Sequence, residues 1–183
     1  MRELKYHEKK LLKKVDFYNW KSDRNIHENA ILKKYLINDR EDYTKYAKLS
    51  GQIISLATHL RKLPASDPDR IKMTEILLEK LYSMGLIKDK QSLQSIIDIP
   101  ASAFCRRRLP VVLCRLKFCE TLAQAATYVQ QGHFRIGPDV VSNPALHVTR
   151  SMEDHITWAE GSAIKRHIKD FTDQVDDFEL LAS

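Results

Sequence analysis

The chain has 183 residues, of which 43% are hydrophobic and 30% are charged, and its formal net charge at pH 7 is +6. That length and apolar fraction allow one domain with extensions or two small domains, and the positive charge favours phosphates or an acidic surface as partner. The sequence has no run of about 18 apolar residues and no apolar signal-peptide core at its start, so we expect a soluble, intracellular protein.

Charge is distributed unevenly between the two ends of the chain. Residues 1–14 carry six cations and two carboxylates, whereas residues 168–183 carry one lysine and five carboxylates. Such ends are poor core material, and each can be a docking segment or a solvated end. We predict a basic arm with short helices over residues 1–40 and an acidic tail over residues 161–183. Within the arm, residues 4–20 are either a short amphipathic helix or a segment that orders on a partner.

The first clear helical period lies between residues 41 and 63, where apolar residues recur at alternating spacings of three and four. This spacing predicts one buried stripe, formed by Tyr46, Leu49, Ile53, Leu56, Leu60 and Leu63. Pro64 ends the helix, because proline lacks an amide hydrogen and disfavours a helical residue before it.

A second helix follows almost at once. Asp67 is suited to cap it, Pro68 to occupy its first turn, and Gly85 to end it. Its predicted buried face consists of Ile71, Leu77, Leu78, Leu81 and Met84. Two helices joined by a short proline turn predict an antiparallel hairpin within a region spanning residues 41–100. We expect this region to serve packing, since it carries no cofactor motif and no catalytic cluster.

The three cysteines, Cys105, Cys114 and Cys119, are spaced by nine and five residues and form no Cys-x-x-Cys pair. Neither a zinc site nor a disulfide framework is predicted, and we expect small buried thiols in a reducing compartment. The chain also lacks a glycine-rich phosphate loop, a nucleophile elbow and metal-ligand spacing. We therefore predict no catalytic residue, no metal site and no cofactor, and we expect a protein that is not an enzyme.

The segment Phe104–Pro110, FCRRRLP, places three arginines next to one another. Adjacent cations repel, so the run is either solvated or held by an anionic partner. Pro110 fits the first turn of a helix, which predicts a helix that begins around Arg107–Leu109 and ends near Phe118. The predicted inner stripe of this helix consists of Leu109, Val112, Leu113 and Leu116.

Thr121 and Gln124 have the spacing of a capping box, and Gly132 is suited to end the helix that follows. Beyond Gly132 the hydrophobic period changes to two, which predicts a small antiparallel sheet. The strand candidates are His133–Ile136, Val140–Val141, Leu146–Val148 and His155–Trp158. Phe134 and Ile136 are expected to face the core.

Together these elements predict an α+β fold. A helical N-terminal region, made of the basic arm and the helical hairpin, is followed over residues 101–160 by a compact domain of two helices and a small antiparallel sheet. A compact unit of about 55 residues buries only a small core.

The segment Arg106–Ala145, RRRLPVVLCRLKFCETLAQAATYVQQGHFRIGPDVVSNPA, resembles the S4 RNA-binding domain, which is named after a small-subunit ribosomal protein. Arg108-Leu109 matches the opening of that domain, Gly132-His133 the end of its second helix, and Ile136–Val141 its hairpin. Lys117–Cys119 departs from the pattern, since a Leu-Gly break is common there. The resemblance implies an RNA-binding module.

Further motifs extend the resemblance over nearly the whole chain to one subfamily, the S4-like proteins of the U3 small nucleolar ribonucleoprotein. The motifs are LKYHEKKLLKKVDFYNW, REDYTKY, LLEKLYSMGL, FCRRRLPVVLCRLKF, QGHFRIGPDVV, and VTRSMEDHITW through DDFEL. The resemblance implies a non-catalytic role in the nucleus, at the nucleolus, where the protein helps U3 small nucleolar RNA to pair with pre-rRNA in the small-subunit processome during early 18S rRNA maturation. The implied partners are these RNAs, a Brix-domain protein and a large acidic scaffold phosphoprotein, with no membrane and no small-molecule substrate.

The RNA-binding residues that we predict lie on the helical pair and the adjoining hairpin, which form the basic surface of this domain type. They are Arg106, Arg107, Arg108, Arg115, Lys117, His133 and Arg135. Arginine suits folded RNA because its planar fork binds phosphate bidentately and stacks on bases. The alternatives are that Arg106 and Arg107 are solvent-facing linker residues and that His133 only caps its helix.

Two other functions are compatible with these residues. The basic arm and the helical N-terminal half also fit a structural small-subunit ribosomal protein that binds rRNA. A protein-docking adaptor in a ribosome assembly particle would instead use Arg106–Arg108 to meet an acidic partner.

Overall fold

The computed structural model describes residues 2–14, 22–90 and 92–172 of the chain. The chain divides into two compact units, Met1–Lys34 and Tyr35–Ser183. Helices are found in both units, and the second unit also holds a three-stranded sheet. This mixture confirms the predicted α+β class.

The first unit contains helix α1 (Tyr6–Lys14) and most of helix α2 (Ser22–Tyr35). At the start of α1, the Arg2 guanidinium donates a hydrogen bond of 2.6 Å to the Glu8 carboxylate. α1 matches one of the two alternatives for residues 4–20, a short helix, and residues 15–21 of the basic arm lie outside the described residues.

The second unit begins with the predicted pair of helices, α3 (Arg40–Lys62) and α4 (Pro68–Ser83), and both are confirmed. The Asp67 carboxylate accepts a hydrogen bond of 3.1 Å from the Asp69 amide, so the predicted cap of α4 is present. At the other end of α4, Gly85 has a φ of +74°, a left-handed backbone conformation that glycine adopts without a steric penalty.

The buried face of α3 is displaced from the predicted stripe. Its buried residues are Tyr43, Ser50, Ala57 and Leu60. Three members of the predicted stripe are 44%, 49% and 41% exposed, namely Leu49, Leu56 and Leu63. Small residues lie inside because another backbone approaches α3 there, and the Ser50 hydroxyl donates to the Ile99 carbonyl at 2.7 Å. Ile71, assigned to the buried face of α4, is also exposed.

Two short helices, α5 (Gln94–Ile97) and α6 (Ala101–Cys105), pack against α3 and complete the first core of this unit. The buried members of this core are Ala57, Leu78, Leu81, Ile87, Ile96, Ile99, Ala103 and Phe104. The Phe104 ring stacks on the Tyr46 ring with their centroids 5.8 Å apart, which joins α6 to α3.

The predicted two-helix domain follows. It contains α7 (Leu109–Arg115), α8 (Leu122–Gln130) and the strands β1 (Phe134–Ile136), β2 (Asp139–Val141) and β3 (Ile156–Trp158). β1 lies in the middle of the sheet and pairs antiparallel with both neighbours. The buried members of this second core are Leu109, Val112, Leu113, Cys119, Ala125, Val129, Phe134, Val148 and Ile156.

Most local predictions for this domain are confirmed, but α7 ends at Arg115 rather than near Phe118, since Lys117 has a left-handed backbone conformation. The capping box of α8 is present, since Thr121 Oγ1 and Gln124 Oε1 each accept the amide of the other residue at 3.3 Å. Leu116, however, is 39% exposed and does not belong to the inner stripe of α7. The third strand candidate is not a strand either, because its backbone forms an isolated antiparallel bridge between Arg108 and His147.

Helices α9 (Arg150–Glu153) and α10 (Ala163–Phe171) complete the described elements. α10 lies within the predicted acidic tail, of which residues 173–183 are outside the described part of the chain. The predicted divisions after residues 40, 100 and 160 stay predictions, although side-chain hydrogen bonds cross the second of them.

The three cysteines carry free thiols. Cys105 and Cys119 are buried, and Cys114 is half-buried. Burial raises the pKa of the Cys119 thiol to about 11, so this side chain is neutral and packs as a small apolar group.

His147 is half-buried, and its Nε2 lies 3.0 Å from the Met84 carbonyl oxygen. Burial lowers the pKa of the imidazole below its usual 6.5, and the hydrogen bond to Met84 opposes this shift. Between the lowered pKa and 6.5 the unfolded chain binds more protons than the folded chain. We therefore expect the free energy of unfolding to fall as the pH drops below about 6.5.

The variant His147→Gln keeps an amide donor for Met84 and should lose this part of the pH dependence. Urea unfolding midpoints between about pH 5 and pH 8 measure the effect. His155→Gln, at an exposed position, is the matched control. The assignment fails if His147→Gln retains the full pH dependence or if the control loses it equally.

Candidate RNA-binding surface

Arg107 is enclosed by the fold, with 5% of its surface exposed. Its Nε and Nη2 donate to the Val148 carbonyl at 2.9 and 2.6 Å, and its Nη1 donates to the Glu153 carboxylate. Burial lowers the pKa of the guanidinium, and the Glu153 carboxylate opposes that shift. Glycine at position 85 makes room for this side chain, because a Cβ there would lie 2.6 Å from Arg107 Cζ.

Arg108 is similarly enclosed, with 7% of its surface exposed. Its backbone is the N-cap of α7 and pairs with His147. Its Nη1 donates to Asp42 Oδ2 at 2.9 Å and to Tyr46 Oη at 3.1 Å. Both of these partners belong to α3, so this side chain joins α3 to the start of α7.

These contacts change the roles of two of the three adjacent arginines. The prediction that Arg107 and Arg108 bind RNA does not fit their burial, because each guanidinium is paired with a carboxylate inside the fold. Two members of the run are therefore held by anions, and those anions are internal. Sequence reasoning missed this because the two carboxylates, Asp42 and Glu153, lie far away along the chain.

Arg106 and Arg115, by contrast, are exposed. The Arg106 Nε donates one long hydrogen bond, 3.4 Å, to the Ser102 carbonyl. Arg115 has 52% of its side chain exposed and donates to the same Glu153 oxygen that holds Arg107. Because a guanidinium has five N–H donors, both side chains retain donors for a further acceptor.

Lys117 is exposed and follows α7 in a left-handed conformation, with a φ of +63°. The Lys117 amide donates to the Cys114 carbonyl at 3.2 Å, and the Phe118 amide donates to the Leu113 carbonyl at 3.0 Å. These are the two hydrogen bonds of a Schellman motif. Glycine is usual at this position, as Gly132 is after α8. A lysine there costs on the order of 1 kcal/mol in backbone strain.

His133 is half-buried, and both of its ring nitrogens have partners within hydrogen-bonding distance. The partners are Gln131 Oε1 at 3.2 Å and Ser162 Oγ at 2.9 Å. Its amide donates to the Tyr128 carbonyl at 3.0 Å and so closes the end of α8. The alternative role of a helix cap therefore fits His133 better than a contact with RNA.

Arg135 lies between two inward-facing residues of β1 and has 31% of its side chain exposed. Its Nε donates to Thr157 Oγ1 at 3.0 Å, and its Nη1 donates to Glu160 at 2.8 Å. The Glu160 side chain is 73% exposed, and ion pairs with such exposed groups contribute little. Arg135 can therefore exchange this partner for a phosphate.

Three of the predicted residues line one cavity of about 290 Å³, and they are Arg106, Arg107 and Arg115. Lys117, His133 and Arg135 are not among the described residues that line it. Lys88 and Arg150 line the cavity as well, although both are outside the predicted set. Lys88 was missed because the region around it was assigned to packing. Lys88 follows the helix-ending Gly85 by three residues, and this position in a turn could have indicated an accessible cation.

The described residues offer two further observations. No helix among them combines the length and the apolar character needed to cross a bilayer. No group of three or more His, Cys, Asp or Glu side chains in the described ranges could hold a metal ion. The chemistry of the surface described above is that of guanidinium and ammonium groups, which bind oxyanions.

Two family models match the chain. The Ribosomal protein S4/S9 N-terminal domain matches residues 3–98, and the S4 domain matches residues 107–154. The second match runs from just before α7 to the end of α9 and lies within residues 101–160, the domain predicted from the sequence.

Relatives that are similar over their whole length carry the name U3 small nucleolar ribonucleoprotein protein IMP3. The Homo sapiens protein is 49% identical over 183 residues, which are 100% of both chains. The Saccharomyces cerevisiae protein is 45% identical over 181 residues, 98% of this chain and 99% of the relative. The small ribosomal subunit protein uS4 of Thermoplasma volcanium is 31% identical over 170 residues, 92% of this chain and 84% of the relative.

Replacing Arg108 by glutamine should destabilise the fold, because the Asp42 carboxylate then loses its enclosed guanidinium partner and keeps only the exposed Lys45 ammonium, 3.6 Å away. We expect the free energy of unfolding to fall by roughly 3 kcal/mol, the range seen when one member of a buried ion pair is removed. Arg106→Gln removes the neighbouring exposed guanidinium and should change the same quantity by less than about 0.5 kcal/mol. Urea denaturation followed by circular dichroism measures both variants, and equal stabilities would contradict the assigned roles.

Lys117→Gly should raise the free energy of unfolding by about 1 kcal/mol, because glycine adopts the left-handed conformation without a Cβ clash. Lys117→Ala removes the same charge but keeps the Cβ, so it should not gain this stability. Thermal unfolding of both variants separates backbone strain from charge. A glycine variant no more stable than the alanine variant would show that strain is not the cause.

Proposed function

Because the chain belongs to the family of the U3 small nucleolar ribonucleoprotein protein IMP3, we propose that it is an RNA-binding component of the U3 small nucleolar ribonucleoprotein. The observation that carries this proposal is the 49% identity to the Homo sapiens protein over the full length of both chains. The S4 domain at residues 107–154 supports RNA as the partner.

Within that particle, the proposed role is non-catalytic. The chain helps U3 small nucleolar RNA to pair with pre-rRNA during early 18S rRNA processing, in the small-subunit processome of the nucleolus. The proposed protein partners are a Brix-domain protein and an acidic scaffold phosphoprotein of the same particle. The resemblance to the family supports this role, and the net charge of +6 favours polyanionic partners.

The side chains proposed to contact RNA are accessible cations within the S4 domain and directly before it. They are Arg106, Arg115, Lys117 and Arg135. Such groups bind the phosphate backbone and recognise the shape of folded RNA rather than its base sequence. Arg107 and Arg108 act indirectly in this proposal, by holding the start of α7 in place.

A structural protein of the small ribosomal subunit is the second candidate. The match to the Ribosomal protein S4/S9 N-terminal domain and the similarity to archaeal uS4 favour it. It is the weaker candidate, because the identity to uS4 of Thermoplasma volcanium is 31%, against 49% for the U3 ribonucleoprotein protein of Homo sapiens.

Ultraviolet crosslinking of the tagged chain in its own cells, followed by sequencing of the bound RNA, tests the proposal. We expect U3 small nucleolar RNA and 5′ pre-rRNA spacer to be recovered, because the proposed role places the chain at their pairing site. Recovery of mature rRNA alone, together with co-sedimentation with translating subunits, would favour the ribosomal candidate instead.

A pair of variants with equal loss of charge tests the proposed contacts in the same experiment. Arg115→Gln with Lys117→Gln should recover less U3 RNA than Lys62→Gln with Lys72→Gln, which changes exposed positions on α3 and α4. Equal recovery from both variants would remove the S4-domain cations from the proposal and leave the assignment to the particle intact.

A further inference from the structure

The cavity lined by three of the predicted arginines extends beyond the S4 domain. Its other walls come from residues 85–88 after α4, from Ala103 in α6, and from Arg150 and Glu153 in α9. We propose that this basic cavity, about 290 Å³ in volume, binds a backbone phosphate of the RNA where the helical region meets the S4 domain. This inference rests on the function proposed above and adds a binding site to it.

The basic cavity has a large excess of positive charge. Five cationic side chains line it, namely Lys88, Arg106, Arg107, Arg115 and Arg150. Glu153 is the one carboxylate among the described lining residues, and Arg107 and Arg115 already share it. The other three cations form no ion pair within the described part of the chain. Like charges gathered in one cavity repel, and a bound anion relieves that repulsion.

Arg150 is positioned for an acceptor that the described fold does not supply. Its Nη2 donates to the Ile87 carbonyl at 2.8 Å, and its Cζ lies 3.9 Å from the centroid of the Tyr82 ring, so two contacts fix the guanidinium. Its Nε is buried and has no hydrogen-bond acceptor among the described residues. A buried donor without a partner is costly, and the other N–H donors of this guanidinium are available to a phosphate in the cavity that Arg150 lines.

The basic cavity shares two residues with the proposed RNA contacts, Arg106 and Arg115. Lys117 follows Arg115 by two residues at the end of α7. Lys88 and Arg106 are exposed, so a polyanion that crosses the domain reaches them without opening the fold. Arginine forks bind phosphate bidentately, which makes a phosphate of the RNA backbone the anion that fits these walls.

The full chain with Lys88→Gln and Arg106→Gln tests the proposal, because both side chains line the cavity, are exposed and take no part in a buried ion pair. Binding of a fluorescein-labelled U3 small nucleolar RNA transcript is measured by anisotropy at several salt concentrations. We expect binding about tenfold weaker than that of the unmodified chain, and a log–log salt slope shallower by about 0.7 for each phosphate that the variant no longer neutralises.

Lys62→Gln with Lys72→Gln is the matched control, since it removes the same charge at exposed positions outside the cavity. It should change the affinity by less than about twofold, and both double variants should keep the unfolding temperature of the unmodified chain. If the two variants have equal effects, or if the cavity variant keeps its affinity, the cavity is not a phosphate site for RNA. The proposal that the chain binds RNA would be unaffected. Failure of the unmodified chain to bind the transcript would instead overturn the proposed function.

A second measurement tests the cavity without RNA. Inorganic phosphate titrated into the isotope-labelled full chain should shift the Nε–Hε resonance of Arg150, and the shift should be weaker in the Lys88→Gln, Arg106→Gln variant. No shift in the unmodified chain would overturn the proposed anion site. A shift combined with unimpaired RNA binding by the cavity variant would restrict the cavity to small phosphates and overturn the contact with RNA.

Discussion

Two guanidinium groups buried side by side determine how the second unit is assembled. Moving a cation out of water costs several kcal/mol, and a well-placed anion with filled hydrogen bonds is needed to offset that cost. Arg107 and Arg108 meet this condition with partners from distant parts of the chain, Glu153 in α9 and Asp42 in α3. Since both carboxylates are in reach only when α3, α7 and α9 are packed together, the two charges favour this arrangement over other compact ones.

The same ion pairs decide which charges remain available to a ligand. Arg106 is the C-cap of α6 with a helical backbone, whereas Arg108 is extended, with a ψ of 144°. Arg106 stays exposed, while the next two arginines enter the fold. Glu153 also contacts Arg115, which reduces the positive charge at that position. The basic surface therefore depends less on the number of arginines in the run than on those that the internal carboxylates leave unpaired.

Features that depend on near neighbours could be predicted from the sequence. The cap at Asp67 and the capping box at Thr121–Gln124 have partners two or three residues away. The roles of Arg107 and Arg108 could not be predicted, because their carboxylate partners lie 46 and 66 residues away. The buried face of α3 was misplaced for the same reason, since α5 and α6 decide which of its sides is covered. In the candidate site, two arginines of the run line the basic cavity, whereas Lys88 reaches it through the turn that follows α4.

Arg107 connects the packing of the second unit to the proposed phosphate site. Its guanidinium holds the Val148 carbonyl and Glu153, and the close approach of Gly85 places the end of α4 against it. The same side chain also lines the basic cavity. A ligand that binds only the assembled form stabilises that form by mass action. A phosphate in the cavity therefore strengthens the packing of α4 against the S4 domain, and any change that loosens this packing weakens the phosphate site. If the proposed phosphate site holds, RNA binding and internal packing are coupled thermodynamically, with Arg107 as the residue that they share.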